Sequence, residues 1–380
     1  MRILLTGNYL PDAQHSMLRF CDMLATELRK TGHKVQSVHP PVRLARGMNT
    51  HRGFGKWLAY IDKFILFVPL LKKLAGQADV VHICDHAYSL YTKFLIGVPR
   101  VVTCHDLLAV RCARREYPNQ KVSWTGQKYQ CMILQGLERA SLVACDSAAT
   151  RNDLLRLTKV APERTAVLHV GYNFPFRLVS DDERRQRLER LGIGFDDRFM
   201  IHVGADVWYK NVRGLLGIFR RLLSFPETRD LRLVMVANNR TPEFHALKDE
   251  FALEERVMVF SNISGEDLRA LYSGACALLF PSLCEGFGWP IIEAQACGCP
   301  VFASDRPPMT EIGDKGAVYF NPENYDQAAN TIREHLSYAS EMRKLGLLNA
   351  KRFSTQNMVS AYMRLYSNAI ALETGTLPYN

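Results

Sequence analysis

Apolar and polar positions alternate between two regimes along the chain. Short runs rich in Val, Ile, Leu and Phe are separated by longer stretches with apolar residues at helical spacing. The runs predict strands at Arg2–Thr6, Lys34–Val38, Val80–Cys84, Val101–Cys104, Leu142–Cys145 and Ala166–Val170. The second half repeats the plan at Phe199–Val203, Leu231–Val236, Arg256–Phe260, Ala277–Phe280, Pro300–Ala303 and Ala317–Phe320. Met17–Lys30 reads as a helix stopped by Gly32, and about 325–372 reads as helical. Strand–helix alternation at this spacing predicts parallel sheets covered on both faces. So many strands would make one unusually wide sheet, so the pattern predicts an α/β chain of two doubly wound, Rossmann-like domains facing a cleft.

A break is expected near 173–197, where Pro175, a charged stretch and Gly192 and Gly194 interrupt the pattern. The expected division is 1–173, then 174–355, then a terminal helix over 356–380 crossing back to the first domain. A length of 380 residues agrees with two cores. In open α/β sheets ligands sit outside the carboxyl ends of the strands, so the loops after the strands are where chemistry is sought.

Composition is that of a globular protein, with 47% hydrophobic and 23% charged residues. Met1-Arg2 leads directly into an apolar strand, which predicts no export leader, and the longest apolar run, Phe64–Leu71, is too short to span a bilayer. The ten cysteines include no CxxC pair, and the chain is read as cytoplasmic and reduced; Cys297-Gly-Cys299 has poor spacing for zinc. Charge is uneven. Residues 1–175 hold 24 Lys/Arg and 12 Asp/Glu, net +12, whereas 176–380 hold 24 and 26, net −2. The basic first half suggests an anionic partner, with drift in surface composition as the alternative.

The densest chemistry lies at Pro281-Ser-Leu-Cys-Glu285-Gly-Phe-Gly-Trp-Pro-Ile-Ile-Glu293, directly after a predicted strand. Gly286 and Gly288 allow close backbone approach, and Pro290 suits a helix's first turn. The start of such a helix seats phosphate. Glu285 and Glu293 are then placed to accept hydrogen bonds from hydroxyls of a ligand; the alternative for Glu293 is an acid favoured by the helix dipole.

This stretch resembles the Glu-x7-Glu signature of the retaining glycosyltransferases of family four, which have the two-domain GT-B architecture. The likeness continues through Pro300-Val-Phe-Ala-Ser304, Pro308-Met-Thr-Glu311-Ile and Ala317-Val-Tyr-Phe-Asn-Pro322, and upstream through Val259-Phe-Ser-Asn-Ile-Ser264. The resemblance implies transfer of a sugar from GDP-mannose or a UDP-sugar, with retention at the anomeric carbon, without a metal and without another cofactor. It implies that Glu285 binds the donor sugar and Glu293 the ribose. Gly286, Phe287 and Gly288 would contact phosphate or sugar, and Asn262, Ile263 and Gly204 would complete the donor site. Lys210, in His202-Val-Gly-Ala-Asp-Val-Trp-Tyr-Lys-Asn211, would hold the diphosphate. Relatives often add an arginine where this chain has Tyr209 or Ala205, which leaves the second phosphate cation to Arg213 at best.

In the first domain, His105-Asp106 follows a predicted strand. The resemblance makes His105 a catalytic contact to the donor sugar, with Asp106 orienting it or capping the next helix. Asn8, Asp12 and His15 follow the first strand and are expected to touch the acceptor; plain turn chemistry is the alternative. Residues 54–74 mix aromatics, aliphatics and lysines with one acid, Asp62, so this stretch either lies on an anionic membrane or packs in the core. The reading is a glycosyltransferase of cell-envelope polysaccharide synthesis acting on a glycan or lipid-linked acceptor, peripheral on the inner face of the plasma membrane, with no nucleic-acid partner. A degenerate binding subunit and a sugar-nucleotide epimerase are the rivals. A dehydrogenase is excluded because Thr6–Asp12 lacks G-x-G-x-x-G, and a P-loop kinase because G-x-x-x-x-G-K-[ST] is absent.

Overall fold

A computed structural model describes residues 1–237 and 241–375. The chain divides into two compact units. One comprises Met1–Asn173 with the chain from Thr355 onward, and the other Phe174–Ser354.

The first unit holds a parallel sheet of β1 (Arg2–Thr6), β2 (Lys34–Val38), β3 (Val80–Ile83), β4 (Arg100–Cys104), β5 (Leu142–Cys145) and β6 (Thr165–Val167), in the order β2-β1-β3-β4-β5-β6. Every residue of β3 and β5 is buried. That is why these segments read as continuous apolar runs, since helices cover both faces of a parallel sheet. The order reverses between β1 and β3, so a crevice opens at their carboxyl ends.

The terminal helix, Thr355–Thr374, belongs to this unit. It buries Tyr362 and Tyr366 completely. Their hydroxyls reach Thr103 at 2.9 Å and His82 at 2.7 Å, and His82 also meets Thr103 at 2.8 Å. Burial, with His105 nearby, drops the His82 pKa to about 3, so it sits neutral in the core. Arg100 and Ser141 both bond Glu373, at 2.9 and 2.7 Å. The part of the expected terminal segment beyond Gly375 lies outside the described residues.

The second unit holds β7 (Phe199–Val203), β8 (Arg232–Val236), β9 (Val257–Phe260), β10 (Ala277–Phe280), β11 (Val301–Ser304) and β12 (Ala317–Phe320), in the order β12-β11-β10-β7-β8-β9. All its pairings are parallel. Here the order reverses between β7 and β10, and the loops leaving those two strands begin at Gly204 and Pro281. Both units are thus doubly wound and Rossmann-like.

Residues 54–74 pack in the core along one face only. The helix Gly53–Ile61 passes through a π-helical turn at Asp62–Leu66 into a second helix, Phe67–Ala75. Ala59, Phe67, Leu71 and Ala75 face the core while Phe54, Trp57, Ile65 and Leu70 face outward. The widened turn lets consecutive Asp62 and Lys63 both point inward. Asp62 accepts the N–H groups of Arg43, Leu44 and Ala45 at 2.9–3.1 Å and the Tyr9 hydroxyl at 2.9 Å. Burial works against its charge, but those bonds prevail and hold its carboxyl below the usual range.

Candidate functional site

In the second unit the two switch-point loops are tied together. The Leu283 N–H donates to the Tyr209 carbonyl at 2.7 Å. Asn211 sits in the left-handed region at φ 56° and caps the helix Val212–Leu222 by accepting from Gly214 N–H at 3.1 Å. Its Nδ2 donates to the Pro281 and Pro322 carbonyls at 3.1 and 3.2 Å. One side chain thereby fixes the loop after β7 against the ends of β10 and β12.

This frame places Lys210 Nζ 2.7 Å from Glu285 Oε1. Both side chains are mostly buried, at 13% and 10% exposure. The ammonium also lies 5.1 Å from the centroid of the Phe280 ring. Gly204 clears its path, because a Cβ there would stand 3.2 Å from Lys210 Cδ and 3.3 Å from His202 Nε2. Burial lowers the His202 pKa to about 4, against the Leu279 carbonyl bond and helped by Lys210, so His202 is neutral and adds no positive charge beside Lys210.

Directly after Glu285, Gly288 takes φ +103° and caps the helix Trp289–Ala296, with Pro290 in its first turn. Only glycine occupies that region without strain. Gly286 does not adopt it, so of the two glycines Gly288 is the one the backbone requires. The helix start presents the positive end of its dipole, which favours an anion there. Glu293 lies one turn in, 6% exposed, and accepts from the Tyr272 hydroxyl at 3.0 Å. Burial, then the Glu293 charge, raises the Tyr272 pKa, so it remains a donor. Among the described residues, buried polar atoms here that lack a hydrogen-bond partner include His202 Nε2, Ser282 Oγ, Trp289 Nε1 and Ser304 Oγ. Such atoms are exceptions in a folded chain and mark places where a polar ligand gains.

Asn262 and Ile263 follow β9, with Asn262 exposed and in the left-handed region at φ 56°. Arg213 does not serve the diphosphate as placed. It pairs with Glu250 at 2.5 and 2.9 Å on an exposed face. Cys297 and Cys299 are buried, and burial pushes the Cys297 thiol up to about 12 and raises that of Cys299 as well, which disfavours the thiolate that metal binding needs.

The first unit gathers a different set. Four strand ends deliver Asn8, Asp85, His105 and Asp146 to one edge of the sheet. His105 Nδ1 is 2.7 Å from Asp146 Oδ2, and Nε2 is 2.8 Å from the Cys84 carbonyl. Both partners only accept, so both ring nitrogens must donate and the ring is an imidazolium. Burial opposes that charge, but Asp146, then Asp85 and the Cys84 carbonyl, lift the His105 pKa to about 9. This settles one expectation and corrects another. The partner is Asp146, 41 residues on, whereas Asp106 caps the next helix through Leu108 N–H. And His105, with both nitrogens engaged internally, presents neither to a donor sugar.

Asn8 is likewise turned inward, 0% exposed, donating to Asp85 at 2.6 Å and Gln14 at 2.8 Å. Asp12 pairs with Lys63 at 2.8 Å and accepts from Tyr88 at 3.2 Å. Only His15, at the start of the helix His15–Lys30, is exposed. Asp146 and Asp85 are not singled out by sequence. Nothing local marks them, because each partner lies on a different strand or helix.

Two family models match consecutive parts of the chain: "Glycosyltransferase Family 4" over residues 17–174 and "Glycosyl transferases group 1" over 183–351. The chain is 26% identical to the O-antigen chain mannosyltransferase B of Escherichia coli, over 82% of this chain and 83% of that one. It is 24% identical to the O-antigen chain mannosyltransferase RfbU of Salmonella typhimurium, over 72% and 69%. Among solved structures, a sucrose-phosphate synthase from Thermosynechococcus elongatus superposes with a TM-score of 0.76 at 20% identity, covering 98% of this chain and all of that one. Anabaena HepE, solved with UDP and glucose, superposes with a TM-score of 0.74 at 17% identity, covering 97% and 99%.

Proposed function

Because the chain belongs to the family-four glycosyltransferases of GT-B architecture, we propose that it transfers a mannosyl group from GDP-mannose to a glycan or lipid-linked acceptor in cell-envelope polysaccharide synthesis. The observation that carries this is the switch-point arrangement of the second unit. A lysine and a glutamate in contact stand beside a glycine-capped helix start, with a second, tethered glutamate one turn further on.

The roles follow from charge. Lys210 and the N–H groups at Phe287 and Gly288 receive the diphosphate, and Lys210 offsets the negative charge that grows on the leaving phosphate. This cation takes the part a metal would play, so the reaction proceeds without one. Its ammonium has three donors, so phosphate oxygens and Glu285 can share it. Glu285 accepts from the donor sugar's hydroxyls and steadies positive charge at the anomeric carbon. Glu293, oriented by Tyr272, accepts from the ribose hydroxyls. Gly204, Gly286, Asn262 and Ile263 border this space.

The anomeric carbon–phosphate oxygen bond breaks as the acceptor oxygen bonds to the same face, and the acceptor's proton passes to the leaving phosphate. The configuration is retained. The O-antigen mannosyltransferases among the relatives support mannose as the sugar. A UDP-sugar is the second reading, favoured by the HepE structures with UDP and UDP-glucose.

Donor turnover tests the proposal. Purified protein in EDTA should release mannose slowly from GDP-mannose, and NMR of a transferred product should show an α-linkage from the α-donor. Saturable donor binding with no release and no transfer would instead identify a binding subunit.

A further inference from the structure

A pocket of about 320 Å³ lies wholly within the first unit, between the helices Gly53–Ile61 and Trp124–Glu138 and the helical segment His86–Phe94. Its volume is at the lower end for ligand sites. The wall is aromatic: Tyr60, Phe64 and Tyr129 pack against one another with centroids 5.9–6.2 Å apart. Tyr129 spends its hydroxyl on the Ala87 carbonyl at 2.8 Å, so its ring side is what it contributes. Trp57 and Trp124 stand at the mouth, 58% and 68% exposed. Lys56, Lys93 and Lys128 also line it, and the lining contains no carboxylate. Lys128 lies 4.7 Å from the Trp124 ring and Lys93 4.6 Å from that of Phe94.

We propose that this face docks on an anionic phospholipid leaflet, with the tryptophans at the headgroup level, the lysines on lipid phosphates and a hydrocarbon chain in the pocket. Three features favour lipid over a peptide or a second copy. Most of the wall's surface is apolar, which suits an acyl chain that needs no hydrogen bonds better than a peptide backbone that does. Half-exposed tryptophan beside lysine is the composition of a membrane interface. The charge is one-sided: the one acid of residues 54–74, Asp62, is held in the core, while Lys72, Lys73, Lys93 and Lys128 stay exposed. No helix among the described residues is long and apolar enough to cross a membrane, so contact would be from one side.

The test uses the full chain and vesicles, without donor or acceptor, so its outcome is separate from that of the transferase reading. Wild-type protein should sediment with phosphatidylcholine vesicles containing phosphatidylglycerol, and much less with pure phosphatidylcholine or at high salt. Changing Lys56, Lys93 and Lys128 together to Gln should weaken binding roughly a hundredfold, about fivefold per lysine. Brominated acyl chains should quench tryptophan emission, and Trp57→Phe with Trp124→Phe should remove that quenching while leaving the fold unchanged by circular dichroism. The proposal is overturned if wild-type protein does not sediment, if the lysine substitutions leave binding unchanged, or if quenching survives the tryptophan substitutions. Self-association that these substitutions abolish, without vesicle binding, would assign the face to a second copy instead.

Discussion

Replacing Lys210 by Met separates what the Lys210–Glu285 pair does for the fold from what it does for the reaction. The pair is mostly buried at 2.7 Å, and Met keeps the aliphatic stem beside Phe280 while deleting the charge. Glu285 is then left as a largely buried carboxylate without its partner. Breaking a buried pair this way costs about 3–5 kcal/mol, and partial exposure places this one at about 3. For a unit of this size that lowers Tm by roughly 6–12 °C. Glu285→Gln, which still accepts from Lys210, should cost about 1 kcal/mol. The double variant should therefore be more stable than Lys210→Met alone, because the stranded carboxylate is gone. Catalysis behaves differently: Lys210→Met should lower kcat about 10²–10³-fold, and adding Glu285→Gln should recover none of it. Calorimetry on the three variants and steady-state donor turnover read the two effects apart. A kcat for Lys210→Met within threefold of wild type, or a double variant no more stable than the single, would refute this reasoning.

Tyr272→Phe removes the bond that orients Glu293, so donor affinity should fall about 2–10-fold with kcat little changed; equal affinity by calorimetric titration would deny Glu293 its assigned place. Gly288→Ala forces a Cβ into the φ +103° cap, and should cost about 1–2 kcal/mol and weaken nucleoside diphosphate binding; unchanged binding would mean phosphate does not use this helix start. His105 is lifted from an ordinary value near 6.5 to about 9 in the fold. Its contribution is therefore complete below pH 6.5 and lost as pH rises through about 9, by up to about 3 kcal/mol. Denaturant midpoints should fall across that window in wild type and stay flatter in His105→Gln; parallel profiles would remove the imidazolium assignment.

The framework was legible because its signals are local. Runs such as Ala277–Phe280 sit in a sheet covered on both faces, so continuous hydrophobicity alone marks them. Pro290 announced a helix start, and the loops after β7 and β10 carry Lys210 and Glu285, which the sequence had singled out. What sequence could not show is which distant group each polar residue meets. His105 finds Asp146 from the neighbouring strand and not Asp106 beside it. Asn8 is drawn under the sheet edge by Asp85, and Arg213 is taken up by Glu250. The segment at 54–74 reads as one amphipathic helix until Asp62 turns inward to collect three backbone N–H groups, a demand set by residues 43–45.

The central claim is that the loop from Glu285 to Gly288, with Lys210, holds a nucleoside diphosphate bearing a sugar. A crystal structure with GDP-mannose or a UDP-sugar at saturating concentration tests it. The diphosphate should lie within hydrogen-bond distance of Lys210 Nζ and of the Phe287 and Gly288 N–H groups, with the ribose on Glu293. A diphosphate bound away from Lys210 and that helix start, or ribose hydroxyls facing away from Glu293, would contradict the account.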